Sequence, residues 1–352
     1  MKSVIHKGLL IAMAAVLLSL GSCSLIDDDL SDCGADFQID YELRLVTNVT
    51  TEQKSVLDKG ADIFVDDALR AYLAPVFTDF AHDVDLSFYD VSEPFDRLEH
   101  VNVIMDANET SYTIYLPSRE YSHTAVANLK GNGSVTLEDS DHLYAGQLKQ
   151  HTAGDGTTNM VSPHRTGLFT ARLNMNVKAN QDQNFDVTLY MVNAASALVL
   201  DTSEATTVKN VKVLLDGFAT GFHVADSTYV FGTDTFVLTD ELPVSGGTQR
   251  CFASVHFPSK DPYGTKVIID SQDAFVADDA DEALWRWRCY VTLADDSVTE
   301  TVLGITKPLR AGGLKVLKAK VYDTGIVTTQ DPTVGVSVTL DWQNSGQYQI
   351  EL

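Results

Sequence analysis

The chain has 352 residues, with 49 acidic against 25 basic side chains and a formal net charge of −24. So acidic a sequence shows no basic face and argues against a nucleic-acid partner; its acidity suits a soluble, self-repelling surface. Its length allows about two domains with cores of their own.

The first 22 residues read as a signal. Lys2 and Lys7 form a short basic region, and Leu9 to Leu20 is apolar apart from Ser19. That is the length of a secretory segment and too short to span a bilayer. Leu20, Gly21 and Ser22 then precede Cys23. This resembles the lipobox of bacterial lipoproteins, in which a peptidase cuts before the cysteine, whose thiol and new amine take acyl chains. One chain holds a membrane marginally and several hold it stably. The alternative is an ordinary signal with an incidental cysteine. Cleavage removes Lys2 and Lys7 and no acid, so the formal charge moves from −24 to −26. Ser24 is not Asp, so nothing suggests retention at an inner membrane. Asp27, Asp28 and Asp29 resemble the patch that sends Bacteroidetes lipoproteins to the outer face of the outer membrane; the alternative is a solvated acidic linker. Residues 23–35 are thus a lipidated tether, and no later stretch is long enough to span a membrane.

Strand patterns follow. Phe37, Ile39, Tyr41, Leu43 and Leu45 alternate with polar residues, the period of a half-buried strand. Ala61 to Phe80 is the exception: Ile63, Phe64, Leu69, Tyr72, Leu73, Val76, Phe77 and Phe80 keep helical spacing, which predicts one helix kinked or split at Pro75. Val84, Leu86 and Phe88 make the next strand. Val101, Val103 and Met105 lead to a turn at 106–109, and Tyr112, Ile114 and Leu116 return, which predicts a hairpin. Tyr121 to Leu129 is another strand.

Between 150 and 167 the apolar rhythm gives way to Gly, Thr, Ser and Pro, and the domain boundary is placed there. The expected division is an N-terminal β-sandwich over 36–155, carrying the helix near 61–80, and a C-terminal β-sandwich over 156–352. Predicted strands in the second part are 168–177, 185–191, 208–215, 229–238, 251–257, 266–269, 285–293, 314–322 and 334–342. Many short strands separated by turn signals make the fold class all-β. In the last, Val334, Val336, Val338, Leu340 and Trp342 share one face, and Asn344 to Gly346 turn the chain back toward Tyr348, Ile350 and Leu352. That strand reads either as a core strand or as part of an intersubunit contact.

With Cys23 acylated, Cys33, Cys251 and Cys289 remain. An odd number gives no complete disulfide framework. Cys251 and Cys289 both lie on apolar strand faces, as buried free thiols or as a bridge.

Nothing in the sequence assigns a catalytic, cofactor or metal site. The nine histidines lack the spacing of a zinc helix. His142, His151 and His164 fall in or beside the 150–167 stretch at irregular spacing, a poor basis for a loop metal site. No nucleophile elbow or phosphate-binding glycine loop occurs. A glycosidase pair needs only two carboxylates meeting in space, which 49 acids supply by chance. Asp278, Asp279, Asp281 and Glu282 lack calcium-loop spacing. Asn48, Asn108 and Asn132 begin sequons, and Asp226-Ser227-Thr228 and Asp296-Ser297-Val298 resemble O-glycosylation patterns of Bacteroidetes. Trp285 and Trp287 share a strand face: either a sugar-binding platform, or core residues with Arg286 and Arg288 outward.

The lipobox, LSDC (30–33), LSFYD (86–90), LPSREYSHTAVANL (116–129), HLYAG (142–146), LKVLKAKVYDTGIV (314–327) and VSVTLDWQNSGQYQIEL (336–352) occur in this order. Together they resemble the FimB/Mfa-type fimbrial anchor lipoproteins of Bacteroidales, over nearly the whole mature chain. The resemblance implies two tandem transthyretin-like Greek-key sandwiches, an outer-membrane location through the lipid, and fimbrial stalk or accessory subunits as partners, without catalysis or cofactor. In that family the polymerising subunits lose an N-terminal segment after an arginine-specific cut, and the opened groove accepts a neighbour's strand. An anchor keeps the segment that carries its lipid. Here no arginine lies between Cys23 and Arg44, and Arg44 lies inside the first predicted strand. The competing expectation is a surface glycan-binding lipoprotein.

Overall fold

A computed structural model describes residues 37–46, 63–77, 81–92, 94–104, 111–153, 159–179, 181–245, 247–261, 283–329 and 334–341, with 37–46 and 334–341 described by backbone alone. In chain order the elements are β1 (Phe37–Val46), α1 (Ile63–Leu73), β2 (Asp83–Asp90), β3 (Arg97–Ile104), β4 (Ser111–Leu116), β5 (Glu120–Ala127), β6 (Val135–Glu138), β7 (Gln147–Gln150), β8 (Met160–Val161), β9 (Phe169–Asn176) and β10 (Gln183–Met191). Then come β11 (Ala194–Glu204), β12 (Val208–Asp216), β13 (Gly221–His223), β14 (Thr228–Val230), β15 (Phe236–Leu238), β16 (Asp240–Leu242), β17 (Gln249–His256), β18 (Trp285–Leu293), β19 (Val298–Ile305), β20 (Leu314–Tyr322), β21 (Val327–Thr329) and β22 (Val334–Asp341). The all-β class expected from the sequence is the class observed.

Seven strands form one sheet in the order β3-β2-β5-β9-β10-β1-β4. Its middle is a corner: β9 and β10 pair only at Thr170–Tyr190 and Phe169–Met191. The sheet folds over there, and one core holds Leu86 and Phe88 of β2, Tyr121 and Ala125 of β5, Ile114 and Leu116 of β4, and Val187 and Leu189 of β10. The expected hairpin between β3 and β4 does not form. β3 pairs with β2 and β4 with β1, at opposite edges of the sheet. Sequence proximity favours a hairpin only when turn chemistry fixes it, and Asp106 to Glu109 carries no Asn-Gly or Asp-Gly signal.

The second sandwich faces a five-stranded sheet, β16-β17-β11-β20-β21, with a six-stranded one, β22-β19-β18-β12-β15-β8. Between them lie Leu198, Leu200, Val213, Leu215, Trp287, Leu303 and Val321. β11 is the centre of the five-stranded sheet and is buried on both faces from Ala194 to Leu200. α1 covers its outer side, setting Val65 and Leu69 on Ala197, Val199 and Cys251. The helix ends at Leu73, two residues before Pro75, so it is neither kinked nor split within the described residues. A small sheet, β14-β13-β7-β6, packs Phe222, Leu148 and Val135 against Val126 and Phe257. The predicted strand 229–238 is interrupted: β14 and β15 belong to different sheets, separated by a turn in which Asp234 has φ 52°.

The division drawn at 155/156 falls within the seven-stranded sheet, since β9 and β10 follow it and pair with β5 and β1 before it. Residues 161–168 run as a strap in which Val161, Pro163, His164, Gly167 and Leu168 are buried. A buried loop needs partners for its backbone, and side chains from several elements supply them. Gln150 Nε2 donates to the Ser162 carbonyl at 2.7 Å, Ser134 Oγ to that of Pro163 at 3.1 Å, Asn193 Nδ2 to that of Thr166 at 2.9 Å and Asn128 Nδ2 to that of Gly167 at 3.0 Å. A Cβ on Gly167 would sit 1.9 Å from the Val76 carbonyl oxygen, so only glycine fits. Asn132 is buried and donates to Thr166 Oγ1 at 2.9 Å, which removes it as a sequon acceptor in the folded chain.

Candidate subunit-contact site

β22 is the C-terminal element among the described residues, and it lies at the edge of the six-stranded sheet. Its eight residues pair antiparallel with β19, from Val334 opposite Ile305 to Asp341 opposite Val298. Val334, Val336, Val338 and Leu340 stand opposite Ile305, Leu303, Thr301 and Thr299, all four buried. Register thus assigns these positions to the core face of the sheet. Both readings of this strand persist together: it has the register of a core strand, and its other edge pairs with no described strand. Trp342 lies outside the described residues, as do Tyr348, Ile350 and Leu352.

The sheet that supports β22 is held firmly. Trp285 and Trp287 on β18 are buried at 1% and 0% exposure, their rings 6.2 Å apart and inclined at 58°. They are core residues, and the platform reading of the two tryptophans is set aside. Trp285 Nε1 donates to the Lys307 carbonyl at 2.9 Å. On the opposite face Arg288 bonds Asp216 at 2.5 Å and Glu300 at 3.0 Å, Arg286 bonds Asp216 at 3.2 Å, and Tyr290 donates to Glu300 at 3.1 Å. This ties β12, β18 and β19 together beside β22. Burial and the Glu300 carboxylate push the Tyr290 hydroxyl up to about 12, so it stays a donor. The outward arginines were legible from alternation; their carboxylate partners come from strands whose pairing a single sequence does not reveal.

Cys251 and Cys289 are free and buried. Cys251 faces α1, whereas Cys289 lies between the two sheets of the second sandwich. The five-stranded sheet stands between them, so the bridge allowed from the sequence does not form. Burial pushes both thiols up to about 12, far from thiolate reactivity.

The lipobox expected at Leu20, Gly21, Ser22 and Cys23, the acidic residues Asp27, Asp28 and Asp29, and Cys33 lie outside the described residues, as do 278–282. β1 is paired on both sides: parallel to β10 over Ile39–Val46 and antiparallel to β4 over Phe37–Glu42. Arg44 stands opposite Thr188 within that ladder.

The histidines weighed as metal ligands part company. His142 pairs with Asp96 at 2.6 Å, His151 bonds Thr136 Oγ1 at 2.7 Å, and His164 is buried against Phe257. No group of three or more potential ligands occurs among the described residues. A Ser–His contact that sequence reading missed joins Ser196 Oγ and His256 Nε2 at 2.8 Å. Both residues are at or below 1% exposure, and burial holds the His256 imidazole down at about 4. A substrate has no path to this pair, and an imidazole so hard to protonate is a poor base at neutral pH.

No protein-family model and no curated protein matches the chain. Solved structures do. A candidate adhesin from Bacteroides ovatus aligns over 79% of this chain and 86% of its own, at 12% identity and a TM-score of 0.51. Another candidate adhesin from Bacteroides ovatus aligns over 88% and 97%, at 9% identity and a TM-score of 0.50. The fimbrial anchor protein Mfa2 from Porphyromonas gingivalis aligns over 86% and 97%, at 10% identity and a TM-score of 0.48. At such identities the likeness is one of fold. The chain has the β-sandwich fold of the candidate adhesins of Bacteroides.

Proposed function

We propose that the chain is a cell-surface lipoprotein that serves as an anchor or accessory subunit of a fimbria. Cys23 carries the lipid, Asp27 to Asp29 direct the chain to the exterior of the outer membrane, and two tandem β-sandwiches join the neighbouring subunit by strand pairing. The observation that carries this reading is the union in one chain of a lipobox-type sequence at 20–23 with the adhesin-type fold. The place of Arg44 supports anchor over stalk: a protease needs an extended, unpaired segment, and Arg44 is held in a ladder. The side of β22 that pairs with no described strand supports strand addition, in which main-chain hydrogen bonds give affinity and alternate side chains give register. The test is Cys23→Ala in the producing bacterium. The altered chain should leave the membrane fraction and the fimbriae should detach with it; a variant that stays on intact, protease-accessible cells would defeat the proposal.

A further inference from the structure

Two connections in the first part of the chain are zipped into one surface feature. Arg97 N donates to the Asp141 carbonyl at 2.8 Å and Leu143 N to that of Phe95 at 3.2 Å. The Arg97 guanidinium adds bonds to Ser140 Oγ at 2.8 Å and Asp141 Oδ1 at 2.5 Å, and Tyr89 donates to the Ser140 carbonyl at 2.8 Å. Beneath lies a separate small core of Tyr89, Leu143 and Ala225 with Phe95 packed on it. Phe95 has φ 63°. A bulky residue rarely adopts that left-handed backbone, and such outliers concentrate at ligand clamps.

What this scaffold presents is Tyr144. The residue is 55% exposed, yet its ring is fixed from two directions. The Phe95 ring meets it at 5.3 Å and 79°, and the Arg172 guanidinium lies 5.8 Å from its centroid while donating to the Ala225 carbonyl. At the rim, the Asp141 carboxylate is 82% exposed, and the Asp96–His142 pair is open to water on both partners.

A partly exposed, ordered aromatic ring with a guanidinium over it and carboxylates at its rim suits one ligand class. Sugar hydroxyls donate to carboxylates and accept from guanidinium or imidazole, while the C–H face of a pyranose packs on an aromatic ring. An anionic ligand would meet Asp96 and Asp141 on a chain of net charge −24. A protein partner needs on the order of 800 Å² per side and a centre poor in charge, and this feature has one open ring and a charged rim. We infer that Tyr144, framed by Phe95 to Arg97 and Ser140 to His142, is the platform of a binding site for neutral carbohydrate. This inference stands apart from the fimbrial reading and does not depend on it.

The test uses the detergent-solubilised full chain, titrated calorimetrically with neutral mannan, glucan and galactan oligosaccharides and, in parallel, with uronate oligosaccharides. At least one neutral series should bind. Tyr144→Ala should weaken that binding tenfold or more with an unchanged melting temperature, Asp141→Asn severalfold, and Tyr144→Phe little. No binding in any neutral series, preference for the uronates, or undiminished binding by Tyr144→Ala overturns the inference.

Discussion

Lowering the pH from 7.5 to 5 should cost this protein much of its stability through three buried histidines. His123 stacks on Phe88 at 4.3 Å and bonds the Ser87 carbonyl at 2.9 Å. His256 bonds Ser196 Oγ and the Phe257 carbonyl, each at 2.8 Å. His164 has Asn193 Nδ2 at 3.4 Å from its Nδ1 and no partner at Nε2. Burial lowers the three to about 4, 4 and 3 respectively, with His256 adding to the effect on His164. In the unfolded chain each takes up a proton near pH 6.5, whereas in the fold it stays neutral. Stability is therefore complete above about 6.5 and falls as the pH drops toward the folded values. At pH 5 the unfolded state gains about 2 kcal/mol per histidine, about 6 kcal/mol in all, against a total stability of about 5–15 kcal/mol for ordinary domains. Asp83 works in the other direction: burial raises its carboxyl, so its protonation in the fold offsets a part. Urea denaturation at pH 7.5 and 5, on the native chain and on His164→Gln, measures the term. The native chain should lose several kcal/mol between the two pH values, and the variant about 2 kcal/mol less. A native loss under about 2 kcal/mol, or equal losses in both proteins, would refute the reasoning.

Three further outcomes are expected. Gly167→Ala should destabilise by more than about 3 kcal/mol in the same urea assay, because backbone must move to admit the methyl, whereas Gly131→Ala, at φ 84° with open space around it, should cost only about 1 kcal/mol. Trp287→Ala empties the centre of the second sandwich and should cost about 3–5 kcal/mol; a loss below about 1 kcal/mol would contradict its burial. Cys251 and Cys289 should resist a thiol reagent at pH 8 and react fully in urea without reductant, as peptide mapping would read; a disulfide-linked peptide pair would contradict the structure.

The fold was legible where one face is wet. β18 and β20 alternate and were found at their observed ends, Trp285–Leu293 and Leu314–Tyr322. β11 was missed because it is buried on both faces and therefore shows no period, and its alanines and serine carry little strand preference. β19 was missed for a related reason: Thr299 and Thr301 fill buried positions and read as polar. The strap at 161–168 reads as part of a domain boundary because Gly, Pro, Ser and Thr mark loops without telling whether other side chains bury them. Two of the amides that do so, Asn128 and Asn193, stand 39 and 27 residues from the carbonyls they bond. For the contact site, the apolar positions of β22 were legible from alternation, but its place at a sheet edge depends on pairing with β19. Trp285 and Trp287 read in sequence either as a sugar platform or as core; Tyr144 carries no periodic signal, and only its surroundings distinguish it.

On the proposed function, this chain rides on fimbriae with its N-terminal segment intact. Shearing fimbriae from the producing cells, separating the filaments and sequencing N-termini by mass spectrometry tests it most directly. The chain should be found among the filament or filament-base proteins, beginning at an acylated Cys23. A chain absent from every filament fraction, or one whose mature N-terminus lies beyond Arg44, would contradict it.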